Sequence, residues 1–301
     1  MAPLTERSVT LERPSREAVQ RKALQALGKL PPFSPILNRI LASLTKDDVS
    51  YSKLADLIEK DTVVAGNILK MVNSAMYGRR GTVNSVRHGL SMLGMDKLRN
   101  AVLGMSITRM WNQVRMPGSW SMARFNLHSA ATAILSDQLA QRIKVQYPEG
   151  AFVAGLFHDI GQLLVALGLP GEYERILSLY GSGERPYIDC EREILGVTHA
   201  ELSASAVTTW NLPEPIQTAI LFHHDPKADP TQTGPGVTPL SSVIDAAHQY
   251  VNSIGVGIRL KNGTDAADPT GLASFFTDSA RLDTLLAEFK LEYDSMAQFF
   301  H

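Results

Sequence analysis

The sequence predicts an all-α protein, a helical bundle of two packed lobes. Three observations carry this. Apolar residues recur at three- and four-residue spacing along most of the chain, which is the period of an amphipathic helix. No stretch alternates apolar and polar residues for the length of a strand. Ser, Asp, Gly and Pro interrupt the apolar stripes at short intervals, as helix caps and stops do. With 44% hydrophobic and 20% charged residues among 301, the chain can bury a sizeable core.

Residues 1–24 are polar and without clear period, and read as a tail or a loosely attached first helix. A first lobe spans 25–115. Its first firm helix start is Ser34-Pro35, with Ser34 as the cap and Pro35 in a first turn that can spare an N–H. Ile36, Leu37, Ile40, Leu41 and Leu44 follow as one stripe. Leu54, Leu57 and Ile58 mark a second helix, and Asp61 caps a third that carries Val64, Ile68, Leu69 and Val72 and ends at Asn73-Ser74. Ser85 caps a fourth that Gly94 stops, and Asp96 begins a fifth through Leu98, Val102 and Met105. Asn73-Ser74 reads first as a helix end, and second as part of a partner-facing patch with Tyr77 and Arg79-Arg80.

The break Met116-Pro117-Gly118-Ser119 opens a second lobe over 116–255. Helices are expected there at 125–143, 150–167, 171–180, 189–195, 200–210, 213–222 and 240–254, with a loop over 224–239. Residues 256–301 supply a further loop and an amphipathic helix from Ser279 to Phe300, which is either a lid on the bundle or a dimer surface. Trp210 is expected to pack on Leu212 and Pro213.

Composition excludes several roles. A net charge of −1 argues against coating nucleic acid or an anionic membrane as the main task. The single Cys190 cannot staple a secreted domain. No apolar run approaches the ~18 residues of a membrane span, the longest being 163–169. A cytoplasmic protein without membrane or direct nucleic-acid contacts is the expectation.

Eight His beside one Cys need an explanation. Five of those in the second lobe are candidate ligands: His128, His158, His199, His223 and His224. His158-Asp159 and His223-His224 each close an apolar helix, where polar groups are expensive unless a partner awaits them. Helix bundles gather metal ligands in this way, from several helices facing one cavity. His88, His248 and His301 read as ordinary polar residues.

The order His128, His158-Asp159, Asp245 resembles the H…HD…D signature of the HD metal-dependent phosphohydrolase superfamily. The surroundings resemble more narrowly the HDOD family, an HD-related output domain of bacterial signalling. The carrying segments are Leu30-Pro31-Pro32, Leu57-Ile58-Glu59-Lys60-Asp61 and Asn73-Ser74-Ala75-Met76-Tyr77-Gly78. They continue with Leu93-Gly94, His158-Asp159-Ile160-Gly161, Gly196-Val197-Thr198-His199-Ala200, Trp210-Asn211-Leu212-Pro213 and His223-His224. The resemblance makes the second lobe HD-domain-like. Set against the related HD-GYP domains, it implies one metal centre at His128, His158, Asp159 and Asp245. A second would lie at His199, His223 and His224, with Asp159 bridging. The implied cofactor is a divalent transition metal, two ions of iron, manganese, zinc or nickel.

The chain departs from HD-GYP proteins at three points. Arg124 stands where three-metal relatives carry a Glu, Gln162 replaces a Lys after the HD-Ile-Gly motif, and the GYP loop is missing beyond His224. The leading functional reading is a regulatory HDOD protein that relays a signal to a protein partner, with a retained two-metal site and a nucleotide or cyclic dinucleotide as a candidate ligand. The alternative is a metal-dependent phosphohydrolase or phosphodiesterase. In that case His158 and Asp159 would be catalytic, and Arg124 or Lys227 would stand in for the missing Lys. Two such metals, about 3.5–4 Å apart, would activate water and clamp phosphoryl oxygens. A third reading is di-iron redox or oxygen-sensing chemistry at the same ligands.

Overall fold

The computed structural model describes residues 15–44, 51–73, 83–182, 185–231, 234, 236–259 and 268–300, the side chains of Tyr51, Ser52 and Leu90 excepted. The patch of Ser74, Tyr77 and Arg79-Arg80 lies outside the described residues, as does His301. Among those described, the pairing Val145–Thr238 is an isolated bridge and all regular structure is helical.

Helix α1, Arg16–Gln25, is capped by Ser15 and lies against the second lobe. The first lobe follows as α2 (Pro35–Ser43), α3 (Tyr51–Lys60), α4 (Thr62–Val72), α5 (Val86–Leu93) and α6 (Met95–Trp111). Ser34, Asp61 and Ser85 serve as the expected caps, whereas the helix expected from Asp96 begins at Met95, after Gly94 and without a side-chain cap. Ser34 Oγ accepts from Leu37 N, and Asp61 accepts from both Val63 N and Val64 N at 3.1 Å. Gly94, at φ +79°, makes the left-handed joint between α5 and α6. Asn73 does more than end α4. Its amide donates to Leu69 O and Val83 O, and its Oδ1 accepts from Val83 N at 2.7 Å, so one side chain clasps both sides of the connection to α5.

The second lobe holds α7 (Met122–Ala140), α8 (Ala151–Phe157), α9 (Ile160–Gly168), α10 (Pro170–Gly181), α11 (Tyr187–Leu195), α12 (His199–Thr209), α13 (Glu214–Leu221) and α14 (Leu240–Ser253). A short α15 (Thr270–Ala273) precedes α16 (Ser279–Ala297). The helix expected over 150–167 breaks at His158-Asp159 into α8 and α9. Two glycines at this break set its depth. A Cβ on Gly155 would meet Ala133 Cα on α7 at 2.7 Å, and one on Gly161 would meet His199 O at 2.1 Å. Backbone therefore crosses backbone on both sides of the His-Asp pair, which no larger residue allows.

One hydrophobic core runs through both lobes. Trp111, at the end of α6, packs its ring on Phe125 of α7 (4.9 Å between centroids) and Phe157 of α8 (6.1 Å). Trp210 reaches farther than its neighbours Leu212 and Pro213, to the rings of Phe33 and Phe157. Helix α16 buries Leu282, Leu285, Phe289 and Met296 and packs against α7, while the Phe300 ring fills the space over Gly104 of α6. The last helix is thus a lid on the bundle. The segment Pro148–Gly168 has a mean hydropathy of 1.5 over bilayer length, although no single apolar run in it reaches that length. Its window is 94% buried inside the fold, as a core element is.

Candidate metal centre

The break between α8 and α9 places Asp159 at the middle of the second lobe. It occupies the N-cap position of α9, yet its carboxylate makes no capping bond. Four imidazoles turn their Nε2 atoms toward it instead. His199 and His223 face Oδ1 at 3.0 and 3.8 Å, and His128 and His158 face Oδ2 at 3.3 and 3.4 Å. His128 comes from α7, His158 from the end of α8, His199 from the first turn of α12 and His223 from the turn after α13. His224 Nε2 lies 2.9 Å from His199 Nε2 and is the least buried member.

The other ring nitrogens decide the protonation of these groups. Nδ1 of His128 lies 2.9 Å from Val256 O, that of His158 2.7 Å from Gly155 O, and that of His223 2.6 Å from Ile220 O. His199 Nδ1 lies 2.6 Å from Glu191 Oε2. Carbonyls and carboxylates only accept, so each Nδ1 carries a proton. His128 and His223, held neutral by burial, present a lone pair at Nε2, whereas Glu191 and Asp159 favour a second proton on His199 that a bound cation would replace. Lone pairs therefore converge on an acceptor-only carboxylate, with His128 and His158 Nε2 atoms 3.3 Å apart. Both Asp159 oxygens and His223 Nε2 are buried without a hydrogen-bond partner among the described residues. An uncompensated buried carboxylate costs about several kcal/mol. The arrangement could hold a metal ion.

The electrostatics set His199 apart from the other rings. Burial holds His128 and His248 below the ordinary imidazole range, His223 at about 3, and His224 lower still, which keeps these rings neutral and ready to coordinate. Burial also lowers His199, but Glu191 and Asp159 outweigh it and raise the ring to about 10. Burial pushes Asp159 upward, yet His158 and His199 hold it well below the carboxylate range.

The ligand atoms fall into two groups that share Asp159. His128, His158, Asp159 and His248 form one, and Asp159, His199, His223 and His224 the other, each within 4.8 Å. Six of the seven residues expected as ligands meet here. Asp245 does not: one turn before His248 on α14, it is half-buried and accepts from Gln249 Nε2 at 2.7 Å. His248, read from sequence as an ordinary polar residue, stands in its place, its ring 5.1 Å from that of His128 and 4.9 Å from that of His158. Both residues lie on a helix that packs against α7, and the register of that packing decides which one turns inward. Glu191 is the other residue that sequence reasoning missed. It is fully buried on α11 and accepts from both the backbone N and Nδ1 of His199. Nothing in Cys190-Glu191-Arg192-Glu193 separates it from a solvated acid. Such a partner fixes the tautomer of a metal-ligating ring and raises its basicity.

The six imidazoles and one shared carboxylate are a donor set that could hold a divalent transition metal. Arg124 is engaged elsewhere, donating to the carbonyls of Gly255, Gly257 and Ile258.

A family model for the HDOD domain matches residues 30–226. The chain belongs to the HDOD family. Solved structures of the same helical fold include an HDOD protein of unknown function from Geobacter sulfurreducens, with a TM-score of 0.74 at 22% identity over 94% of this chain and 99% of that one. A protein from Shewanella amazonensis SB2B that carries the name of a phosphohydrolase aligns with a TM-score of 0.69 at 23% identity, over 93% and 98% of the two chains. One from Marinobacter aquaeolei VT8, named for signal transduction, aligns at 0.67 and 19% identity, over 97% of this chain and 68% of that one. An uncharacterized protein of Treponema pallidum is 23% identical over 260 residues, 82% of this chain, which spans 46% of that protein's length. The HDOD match ends before α14, so His248 lies outside it.

Proposed function

We propose that this HDOD protein holds two divalent transition-metal ions and acts through them as a phosphohydrolase on a phosphate ester of nucleotide or cyclic-dinucleotide type. One observation carries the reading: imidazoles from several helices converge on one buried carboxylate whose two oxygens have no hydrogen-bond partner among the described residues. His128, His158 and His248 would hold one ion, His199, His223 and His224 the other, and Asp159 would bridge. Such a pair supplies Lewis acidity for phosphoryl oxygens and activates water at neutral pH.

The chain's own residues do the rest. The carbonyls of Val256, Gly155 and Ile220 and the Glu191 carboxylate lock the rings before any ligand arrives, so no ordering cost falls on the bound state. The apolar walls of α8 and α9 exclude bulk water and so strengthen every charge interaction inside. The name carried by the Shewanella relative supports the same chemistry.

A regulatory reading is favoured by a different observation. Most of the ligand side chains are buried, and His224 leans furthest toward solvent, a narrow approach for a large substrate. In that reading the loaded centre senses a metal or nucleotide and reports to a signalling partner.

The protein purified without added metal is assayed for elemental content, then offered generic phosphodiesters and a panel of cyclic dinucleotides. About two equivalents of transition metal, with turnover abolished by His158→Ala, is the expected result. Bound metal with no turnover moves the function to the regulatory reading. Less than one equivalent overturns both.

A further inference from the structure

The loop after α14 carries a cation to the edge of the metal pocket. Arg124 on α7 holds this loop by three backbone carbonyls, Gly255, Gly257 and Ile258. The same loop gives the Val256 carbonyl to His128 and ends its described stretch at Arg259. The Arg259 guanidinium carbon lies over the Tyr187 ring, 3.3 Å from its centre, and Nη2 donates to Gln162 Oε1 at 2.6 Å. Gln162 stands on α9 three residues after Asp159 and is 4% exposed, so the guanidinium is anchored one helical turn from the bridging carboxylate. Tyr187 begins α11, the helix of Glu191, and its ring lies 6.4 Å from that of His199.

Two donors in this corner have nothing to bond. Arg259 Nε and the Tyr187 hydroxyl are both buried without a partner among the described residues. Gln162 is a neutral acceptor, and no described carboxylate pairs with Arg259. A buried guanidinium is usually neutralised, and a buried hydroxyl usually bonded. Here a positive charge and an O–H sit side by side, fixed by stacking, by an amide, by Tyr173 and by a clamped loop, with the Nε and hydroxyl hydrogens unclaimed among the described residues. The complement is an anionic oxygen. A guanidinium fork and a phenol suit a tetrahedral oxyanion better than a point charge does.

We propose that Arg259, with Tyr187 and positioned by Gln162, forms an anion subsite at the edge of the metal pocket that takes phosphoryl oxygens of the ligand. The inference rests on the phosphate-ester reading for its choice of anion. It assigns to Arg259, from the far end of the lobe, the charge that Gln162 does not provide at its own position. Arg124, whose guanidinium is spent on the loop, acts as a positioning residue.

The test uses the full chain as purified, with orthophosphate as the probe, and measures phosphate affinity by calorimetry and metal content in parallel. Wild-type protein is expected to bind orthophosphate, and Arg259→Ala to bind it about tenfold more weakly or less well still, with metal content unchanged. Equal affinity in the two proteins, or no phosphate binding by wild type, overturns the subsite. Phosphate binding that depends on Arg259 in a protein that holds no metal would sink the dinuclear reading and leave the subsite standing. Should Arg259→Ala fail to fold, Tyr187→Phe decides, since it removes only the hydroxyl. Weaker phosphate binding then supports the subsite, and unchanged binding overturns it.

Discussion

Asp159 stands where a helix N-cap would ordinarily accept from the next turn, and gives that bond up, which costs α9 about 1 kcal/mol. Its oxygens are held for the imidazoles instead. The exchange of Asp245 for His248 follows from the same demand for geometry, because only the residue that faces α7 can join His128 and His158. The expected consequence is specific: His248→Ala loses about one of two metal equivalents, whereas Asp245→Asn keeps both, read by elemental analysis of each purified variant. Equal losses would restore Asp245 as a ligand. Gly161 carries a second expectation. A Cβ added there would lie 2.1 Å from the His199 carbonyl oxygen, so Gly161→Ala must push α9 from α12 and should cost about 1–3 kcal/mol in denaturant unfolding, with metal content falling as well. The His158-Asp159 pair was legible in sequence because two polar residues close an apolar run. Glu191 was not, because a buried acid on a mixed-charge helix looks like any exposed one until its histidine is placed.

At the scale of elements, caps and stripes were the legible part. Ser34, Asp61 and Ser85 accept the helix-start N–H groups as read from sequence, and Ser121 does the same for α7, which begins three residues earlier than its apolar period suggested. The break between α8 and α9 was not legible, since nothing in the apolar run from Ala151 to Leu167 marks it beyond the His-Asp pair itself. The seating of α16 was likewise open, because an amphipathic face does not name its partner. Its contact with α7 contains an electrostatic conflict. Asp137 on α7 is raised to about 6, by burial first and then by Glu292 of α16. Gln141 donates to Asp137, and Gln138 to Glu292. Asp137 therefore binds its proton more tightly folded than unfolded. The resulting stabilisation is full below about pH 4 and is lost as pH rises through about 6. Asp137→Asn, neutral at every pH, should unfold with wild type at pH 4 and be more stable above pH 6, by at most about 3 kcal/mol. Urea unfolding across pH 4–7 checks this, and a gap independent of pH would refute it.

At the scale of the whole molecule, one core joins the lobes through Trp111 and Trp210, and the candidate metal pocket lies where α7, α8, α9, α12, α13 and α14 meet. Ions held there would bind the folded chain far better than the unfolded one, so loading and folding are coupled. Metal at a hundred times its dissociation constant adds about 2.7 kcal/mol. Chelation should therefore lower Tm, readdition should restore it, and Asp159→Asn should abolish the difference. An identical Tm with and without chelator would show that the pocket is closed by protons alone. By itself the sequence determined the helical class, the two lobes, the HDOD motifs and most of the residues that gather in the pocket, since these depend on local period, capping chemistry and residue type. Tertiary structure alone decided that His248 rather than Asp245 faces the pocket, that Glu191 backs His199, that α16 closes on α7, and that Arg259 reaches Gln162. Each of these depends on which faces of distant helices meet, and helix register and loop path are set by packing across the core.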